Sequence, residues 1–320
     1  MLATYLEFER PIAELSMRIE ELSRAAEQGD VDLHEEIARL QEKLDALVEK
    51  TYAGASRAEI CQLARHPDRP GFLDYLPLIF EDFQELKGDR AFADDGAIVG
   101  GPARIDGISV MLVGQCKGRT TREKLKRNFG MARPEGYRKA LRLFHMAERF
   151  AMPVLTFIDT PGAWPGIDAE EHGQSEAIAR NLMELAALRT PVVCTVIGEG
   201  GSGGALAVGV GDRLLMQRFS TYSVISPEGC AAILWHDRSY SAQAAEALRP
   251  TAADLRELGL NDAVVPEPPC GAHRAPKQAA ALLRKALLDH LRPLLEMPLE
   301  QLLAQRARRL RQVGVFEGGG

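Results

Sequence analysis

No apolar run in the 320 residues approaches the ~20 needed to span a bilayer. The opening MLATYLEFERPIAEL is acidic where a secretory leader would be basic and then apolar. Membrane insertion and export are therefore not expected, and the sequence reads as cytoplasmic. Cysteine is scarce: Cys61, Cys116, Cys194, Cys230 and Cys270 are scattered, and no pair has the C-x2-C spacing of a zinc or redox site. No metal is expected, and Cys116 and Cys194, set in apolar runs, are expected to be buried thiols. Aromatic residues make up 6%, too few for a base-stacking platform. With 39 Lys+Arg against 45 Asp+Glu, the net charge of −6 gives no overall basic field for nucleic acid. There is no internal repeat and no low-complexity tract. What is present, 46% hydrophobic and 26% charged residues in 35.1 kDa, suits a globular chain able to offset its conformational entropy.

Periodicity predicts the elements. Ile12, Leu15, Ile19 and Leu22, then Leu33, Ile37, Leu40, Leu44 and Leu47, alternate steps of three and four on either side of a break at Gln28-Gly29-Asp30. They predict an antiparallel helical hairpin, either packed on the body or offered to another subunit. Asp106-Gly107 between Ala97–Arg104 and Ile108–Gln115 predicts a β-hairpin. Helix and apolar strand then alternate: helix over 134–150, strand 154–158, helix 168–188, strand 192–197, and a glycine-rich turn opening a helix near Ser202. Strands over 213–217 and 221–225 follow, then helices over 227–235, 241–248 and 251–258. This pattern suits parallel strands buried on both faces. The tail from 275 to 312 is helical, broken at Pro293 and Pro298. Its Arg306 to Arg311 stretch is expected to be a solvated face, and Gly318–Gly320 to fray.

Ile197 to Leu206 carries the most information. Gly198, Gly200, Gly201, Gly203 and Gly204 lack a Cβ, so backbone can approach a ligand closely there. First-turn amides have no intrahelical acceptor and suit an oxygen bearing negative charge. Four chemistries compete. Gly198, Gly200 and Gly203 satisfy the dinucleotide pattern GxGxxG, but no ribose-binding acid stands some 20 residues on. Asp159-Thr160-Pro161-Gly162 follows a strand as a GTPase switch would, but no GxxxxGK[ST] loop precedes it. Gly200-x-Ser202-x-Gly204 fits a nucleophile elbow, with Asp262 and His273 following in hydrolase order. The fourth reading is tight packing, which explains one glycine more readily than five. A second turn, Phe157 to Gly166, leaves a strand end likewise, and two such turns can face one crevice and make an oxyanion hole of amides.

The same stretches resemble the α subunit of the bacterial acetyl-coenzyme A carboxylase carboxyltransferase family. The resemblance lies in FxxPIAEL near residue 8, QLARHP at 62–67, NFGMARPEGYRKALRL at 128–143, FIDTPGAWPG at 157–166, VCTVIGEGGSGGALAVGVGD at 193–212 and STYSVISPEGCAAILW at 220–235. It weakens over 236–250 and after 292. Trp164 stands where the family leads one to expect tyrosine, so it is given no catalytic hydrogen bond.

The resemblance implies an α/β crotonase-like spiral of ββα units over 53–292, with an N-terminal helical hairpin over 1–52 and a C-terminal helical tail over 293–320. It implies transfer of a carboxyl group from carboxybiotin, on a biotin carboxyl carrier protein, to acetyl-CoA, giving malonyl-CoA in the first committed step of fatty acid biosynthesis. A zinc-ribbon β subunit completes an α2β2 assembly, and ATP is used at a separate biotin carboxylase. No cofactor is held permanently. The amides of Gly203 and Gly204 are expected to hold the ureido oxygen, with Gly162 and Ala163 shaping the pocket and Gly200, Gly201 and Ser202 beside the substrate. Between Lys117 and Arg142 stand ten Lys/Arg and two acids. Lys117 and Arg119, at a strand end, are the candidates for coenzyme A phosphates or an acidic carrier, while Arg138, Lys139 and Arg142 are expected to be a solvated helix face. A serine hydrolase with Ser202 as nucleophile is the alternative, and a scaffold without catalysis is a third class.

Overall fold

A computed structural model describes residues 5–28 and 33–314. The break at Gly29-Asp30 and the fraying of Gly318–Gly320 lie outside these residues. In chain order the helices are α1 (Arg10–Gln28), α2 (His34–Ala53), α3 (Arg57–Ala64), α4 (Phe72–Ile79), α5 (Thr121–Lys126), α6 (Pro134–Arg149), α7 (Ile167–Glu171) and α8 (Gln174–Ala187). They continue as α9 (Ser202–Leu206), α10 (Pro227–Leu234), α11 (Ser241–Leu248), α12 (Ala252–Glu257), α13 (Pro276–Leu295) and α14 (Leu299–Arg311). The strands are β1 (Ile98–Ile105), β2 (Ile108–Gln115), β3 (Val154–Thr160), β4 (Val192–Gly201), β5 (Arg213–Gln217), β6 (Thr221–Ser223) and β7 (Ala263–Val265).

Asp106-Gly107 turns β1 into β2 as a tight antiparallel pair, with Asp106 and Gly107 both at positive φ. The other named strands pair in parallel, in the order β1-β2-β3-β4-β5-β7, with isolated antiparallel bridges only at Glu81–Arg104 and Thr221–Thr251 among the described residues. β5 pairs with β4 as far as Val196, and β6 takes its place beside Glu199–Gly201. Alternate side chains feed two cores. Leu155, Phe157, Val193 and Ile197 meet α4 and α13, whereas Val154, Ile158, Cys194 and Val196 meet α6 and α8. The sheet is thus a layer between two helical layers, and the Cys116 and Cys194 thiols are buried.

The hairpin of α1 and α2 packs its base on the body: Ile12, Leu44, Leu47, Val48 and Tyr52 surround Leu63 and Phe219. Gly173, at φ +80°, splits the helix expected over 168–188 into α7 and α8. Pro293 does not break the tail, because it falls in the last turn of α13; the chain breaks only at Pro298. The boundary expected at 292/293 therefore lies inside a helix. The arginine-rich end is a solvated face only in part: Arg308 and Arg311 are exposed, but Arg306 and Arg309 are engaged. Arg306 is fully buried, pairs with Asp212 at 2.6 Å, and donates to the carbonyls of Leu185, Leu188 and Thr190. Arg309 pairs with Asp262 at 2.8 Å.

A similar correction applies to α6. Lys139 is buried and bonds the Asp94 carboxylate and the Asp95 carbonyl, Arg138 bonds Asp89 and Glu135, and Arg142 bonds the carbonyls of Leu86, Lys87 and Gly88. These cations hold the 86–95 loop, because that segment offers carboxylates and carbonyls with no ladder to join.

Candidate functional site

The two turns meet at the carboxyl ends of β3 and β4. β4 runs four residues past its expected end, so Gly198, Gly200 and Gly201 lie in the strand rather than in the turn. Each is there because a neighbour is close. A Cβ on Gly198 would stand 2.3 Å from Asp159 Oδ1, on Gly200 2.4 Å from the Tyr222 ring, and on Gly201 2.1 Å from the Pro161 carbonyl. Gly204 lies against the second turn, where a Cβ would come within 2.5 Å of Gly162 C and 2.6 Å of Ala163 N. Tight packing thus accounts for four of the five glycines, more than the sequence suggested. It also brings Gly162, Ala163 and Gly204 together backbone to backbone. Gly203 is different: it is half-buried, and a Cβ there would meet only Ile178, at 3.7 Å.

α9 has five residues, so its dipole is small, and what it offers is the local amides of Ser202, Gly203 and Gly204, which lack intrahelical acceptors. Thr160 sets the other turn: its hydroxyl donates to the carbonyls of Gly130 or Gly162 and accepts the Gly162 amide at 3.1 Å. Trp164 donates its indole N–H to Asp168 and stacks under Arg133, so its ring is occupied structurally.

Charge is concentrated behind the turns. Lys117 Nζ lies 2.8 Å from Asp159 Oδ1 and 2.7 Å from Glu199 Oε1. Arg65 reaches Glu199 at 2.7 Å and Glu228 at 2.9 Å. Burial opposes the charged forms of Lys117 and Glu199, but the partners prevail: Asp159 and Glu199 push the Lys117 ammonium up, and Lys117 and Arg65 hold Glu199 down. Lys117 is thus neutralised by two carboxylates. Arg119 is also engaged, by Asp74 at 2.7 Å and the Pro67 carbonyl at 3.2 Å. Both line a cavity of 320 Å³ with Arg65, His66, Lys124 and Asp159. Among the described residues Lys124 makes no ion pair, and its position on α5 gave the sequence reading no reason to prefer it.

Ser202 is exposed and at φ +52°, as an elbow nucleophile would be. Its supposed partners are elsewhere. Asp262 pairs with Arg309 and accepts the Leu214 amide, while His273 contacts Glu9 at 3.2 Å and stacks 4.2 Å from His66. Glu9, His66 and His273 are the residues grouped as metal ligands might be. Several of their ligand atoms are already engaged: Glu9 accepts from the Leu6 amide and the Tyr52 hydroxyl, and His66 Nδ1 accepts the Asp68 amide at 3.1 Å, while His273 Nδ1 is buried without a hydrogen-bond partner. Arg274, 3.7 Å from Glu9, adds a positive charge that disfavours a cation.

A family model described as acetyl co-enzyme A carboxylase carboxyltransferase-like matches residues 5–314. A protein of Halorhodospira halophila named acetyl-coenzyme A carboxylase carboxyl transferase subunit alpha is 58% identical over 318 residues, 99% of this chain and 100% of that one. Among solved structures, transcarboxylase 12S shares the fold with a TM-score of 0.55 at 19% identity, covering 73% of this chain and 45% of that one. A Pseudomonas malonate decarboxylase hetero-tetramer in complex with coenzyme A does so at 0.54 and 19%, covering 81% and 98%.

Proposed function

Since the chain belongs to the acetyl-coenzyme A carboxylase carboxyltransferase family, as an α subunit with the crotonase-like fold, we propose that its two glycine turns form the oxyanion site for carboxyl transfer. The enzyme moves a carboxyl group from biotin, carried on a protein, to acetyl-CoA, and it works with a β subunit. The observation carrying the site assignment is the close packing of Gly204 on the Gly162–Ala163 backbone beside the half-buried Gly203, where a Cβ would make only an ordinary contact with Ile178 at 3.7 Å. Biotin would supply a ureido oxygen that becomes electron-rich as the carboxyl group leaves. The first-turn amides of Gly203 and Gly204, which have no intrahelical acceptor, fit such a group.

This chain's residues contribute position and electrostatics. The amides of Gly203 and Gly204 donate to the developing negative charge, and each such fixed donor is typically worth ~3 kcal/mol of barrier. Gly162 and Ala163 wall the pocket and set the pitch of α9. Gly200 and Gly201 carry β4 against Tyr222 and Pro161, so that Ser202 turns out to solvent and exposes the amides after it. Lys117 and Arg65 together offset the charges of Asp159 and Glu199, which would otherwise repel an anion at the turns. Arg119 and Lys124 are among the residues lining the 320 Å³ recess, and we assign to them the coenzyme A phosphates or an acidic carrier surface. An α2β2 assembly in the cytoplasm, with a zinc-ribbon β subunit, a biotin carboxyl carrier protein and a biotin carboxylase that spends ATP, completes this reading. The hydrolase alternative has no assembled triad to support it.

The test is Gly203→Val in the complex reconstituted with the β subunit. A helical Cβ tilts toward the helix N-terminus, and at position 203 the Cβ itself meets Ile178 at an ordinary contact distance of 3.7 Å, so a branched side chain can be added beside the amides without a backbone clash at its Cβ. Malonyl-CoA formation is expected to fall by about 10²-fold, the scale of one lost oxyanion donor, with an unchanged circular dichroism spectrum. Undiminished transfer sinks the assignment. Gly204→Val is not informative, because it collides with the Gly162–Ala163 backbone whatever the chemistry.

A further inference from the structure

We infer that Gln115 is a positioning residue for the transfer site, its buried amide bracing the two glycine turns against each other. Gln115 is the last residue of β2 and is fully buried. Its Nε2 donates to the Gly204 carbonyl at 2.7 Å, and its Oε1 accepts the Asp159 amide at 3.2 Å. The partners fix the orientation of the amide, since a carbonyl needs the N–H end and an amide needs the oxygen.

The need for such a brace follows from the shortness of α9. The Ala207 amide goes to Gly203 and the Val208 amide to Ala205, which leaves the Gly204 carbonyl to Gln115. Two more fully buried side chains hold the same end of the helix. Asn181 of α8 donates to the Ala207 carbonyl at 3.2 Å, and Thr156 of β3 donates to the Val208 carbonyl at 2.7 Å. A helix of one turn has too few internal bonds to hold its own position, and fixed donors stabilise charge only when they need not reorganise. Of the three, Gln115 alone reaches both turns. The end of β3, which leads into one turn, and the short helix α9 after β4 are therefore coupled through one fully buried side chain.

The inference rests on the reading of the glycine amides as the oxyanion site, and the experiment separates the two. Gln115→Leu, Gln115→Glu and Gly203→Val are compared in the reconstituted α/β complex, measuring kcat, KM for acetyl-CoA and thermal stability. Leucine removes both bonds, and kcat is expected to fall about tenfold or more, with KM changed by no more than about twofold. Glutamate keeps the acceptor for Asp159 but presents a carboxylate to the Gly204 carbonyl. Its kcat is expected to be low at neutral pH and to recover as the pH falls and the buried carboxyl takes a proton, a profile the wild type lacks. Should the leucine variant fail to fold, the glutamate profile carries the test. A lowered melting temperature with wild-type kcat and no new pH dependence, while Gly203→Val is inactive, overturns the brace alone. Full activity in Gly203→Val overturns the oxyanion reading and the brace with it.

Discussion

Arg306 shows what one residue can do to a domain boundary. Its guanidinium is fully buried, and every donor direction is used by Asp212 and three carbonyls at the end of α8 and in the turn that follows. A buried pair adds little over an apolar replacement of the same shape, but removing one partner strands the other. Arg306→Ala is expected to cost about 3–5 kcal/mol on that ground, read as a drop in the urea midpoint with an unchanged slope. A loss under about 1 kcal/mol would return the residue to the class of exposed surface pairs. The sequence could not show this. An arginine among Arg308, Arg309 and Arg311 looks like its neighbours, and its partner Asp212 lies 94 positions away.

At the scale of elements the periodic parts were legible. The β-hairpin around Asp106-Gly107, strands β3 and β4, and helices α6, α10, α11 and α12 fall where the alternation and the turn residues put them, within one to four residues at their ends. The meeting of Gly162 and Ala163 with Gly204 was legible too, because strand ends in a parallel sheet converge. Ion pairing was not. Lys117 and Lys124 are alike as letters, yet Lys117 sits between two carboxylates and Lys124 on α5 makes no ion pair among the described residues. Their charge reversals are accordingly expected to differ. Lys124→Glu should raise KM for acetyl-CoA or for the carrier several-fold, lessening as salt rises, with stability unchanged. Lys117→Glu should instead destabilise the fold, by crowding three carboxylates. An unchanged KM for Lys124→Glu against both substrates would remove α5 from the site.

On the scale of the whole molecule, the N-terminal hairpin is joined to the body by polar as well as apolar contacts. Burial alone would raise the Glu9 carboxyl, but hydrogen bonds from His273, Tyr52 and the Leu6 amide outweigh it and hold the pKa down to about 2, from 4.5. A depressed carboxylate contributes stability that is present above its unfolded value and is lost as pH falls through the folded one. The stability gap between wild type and Glu9→Gln is thus expected to be constant above about pH 5 and to shrink as the pH falls from 4.5 toward 2. Urea unfolding of both proteins across that range is the check, and a gap independent of pH would show that Glu9 is not the group that titrates.

The burial of Arg306 has a temporal side. Synthesis runs from one end of the chain to the other, so Asp212 is made 94 residues before the cation that neutralises it. The strands β3, β4 and β5 can associate earlier, but the carboxylate beside them stays uncompensated until α14 arrives. The sheet can therefore be assembled early and closed only late, and a nascent chain arrested before α14 would present a half-finished core to chaperones and proteases.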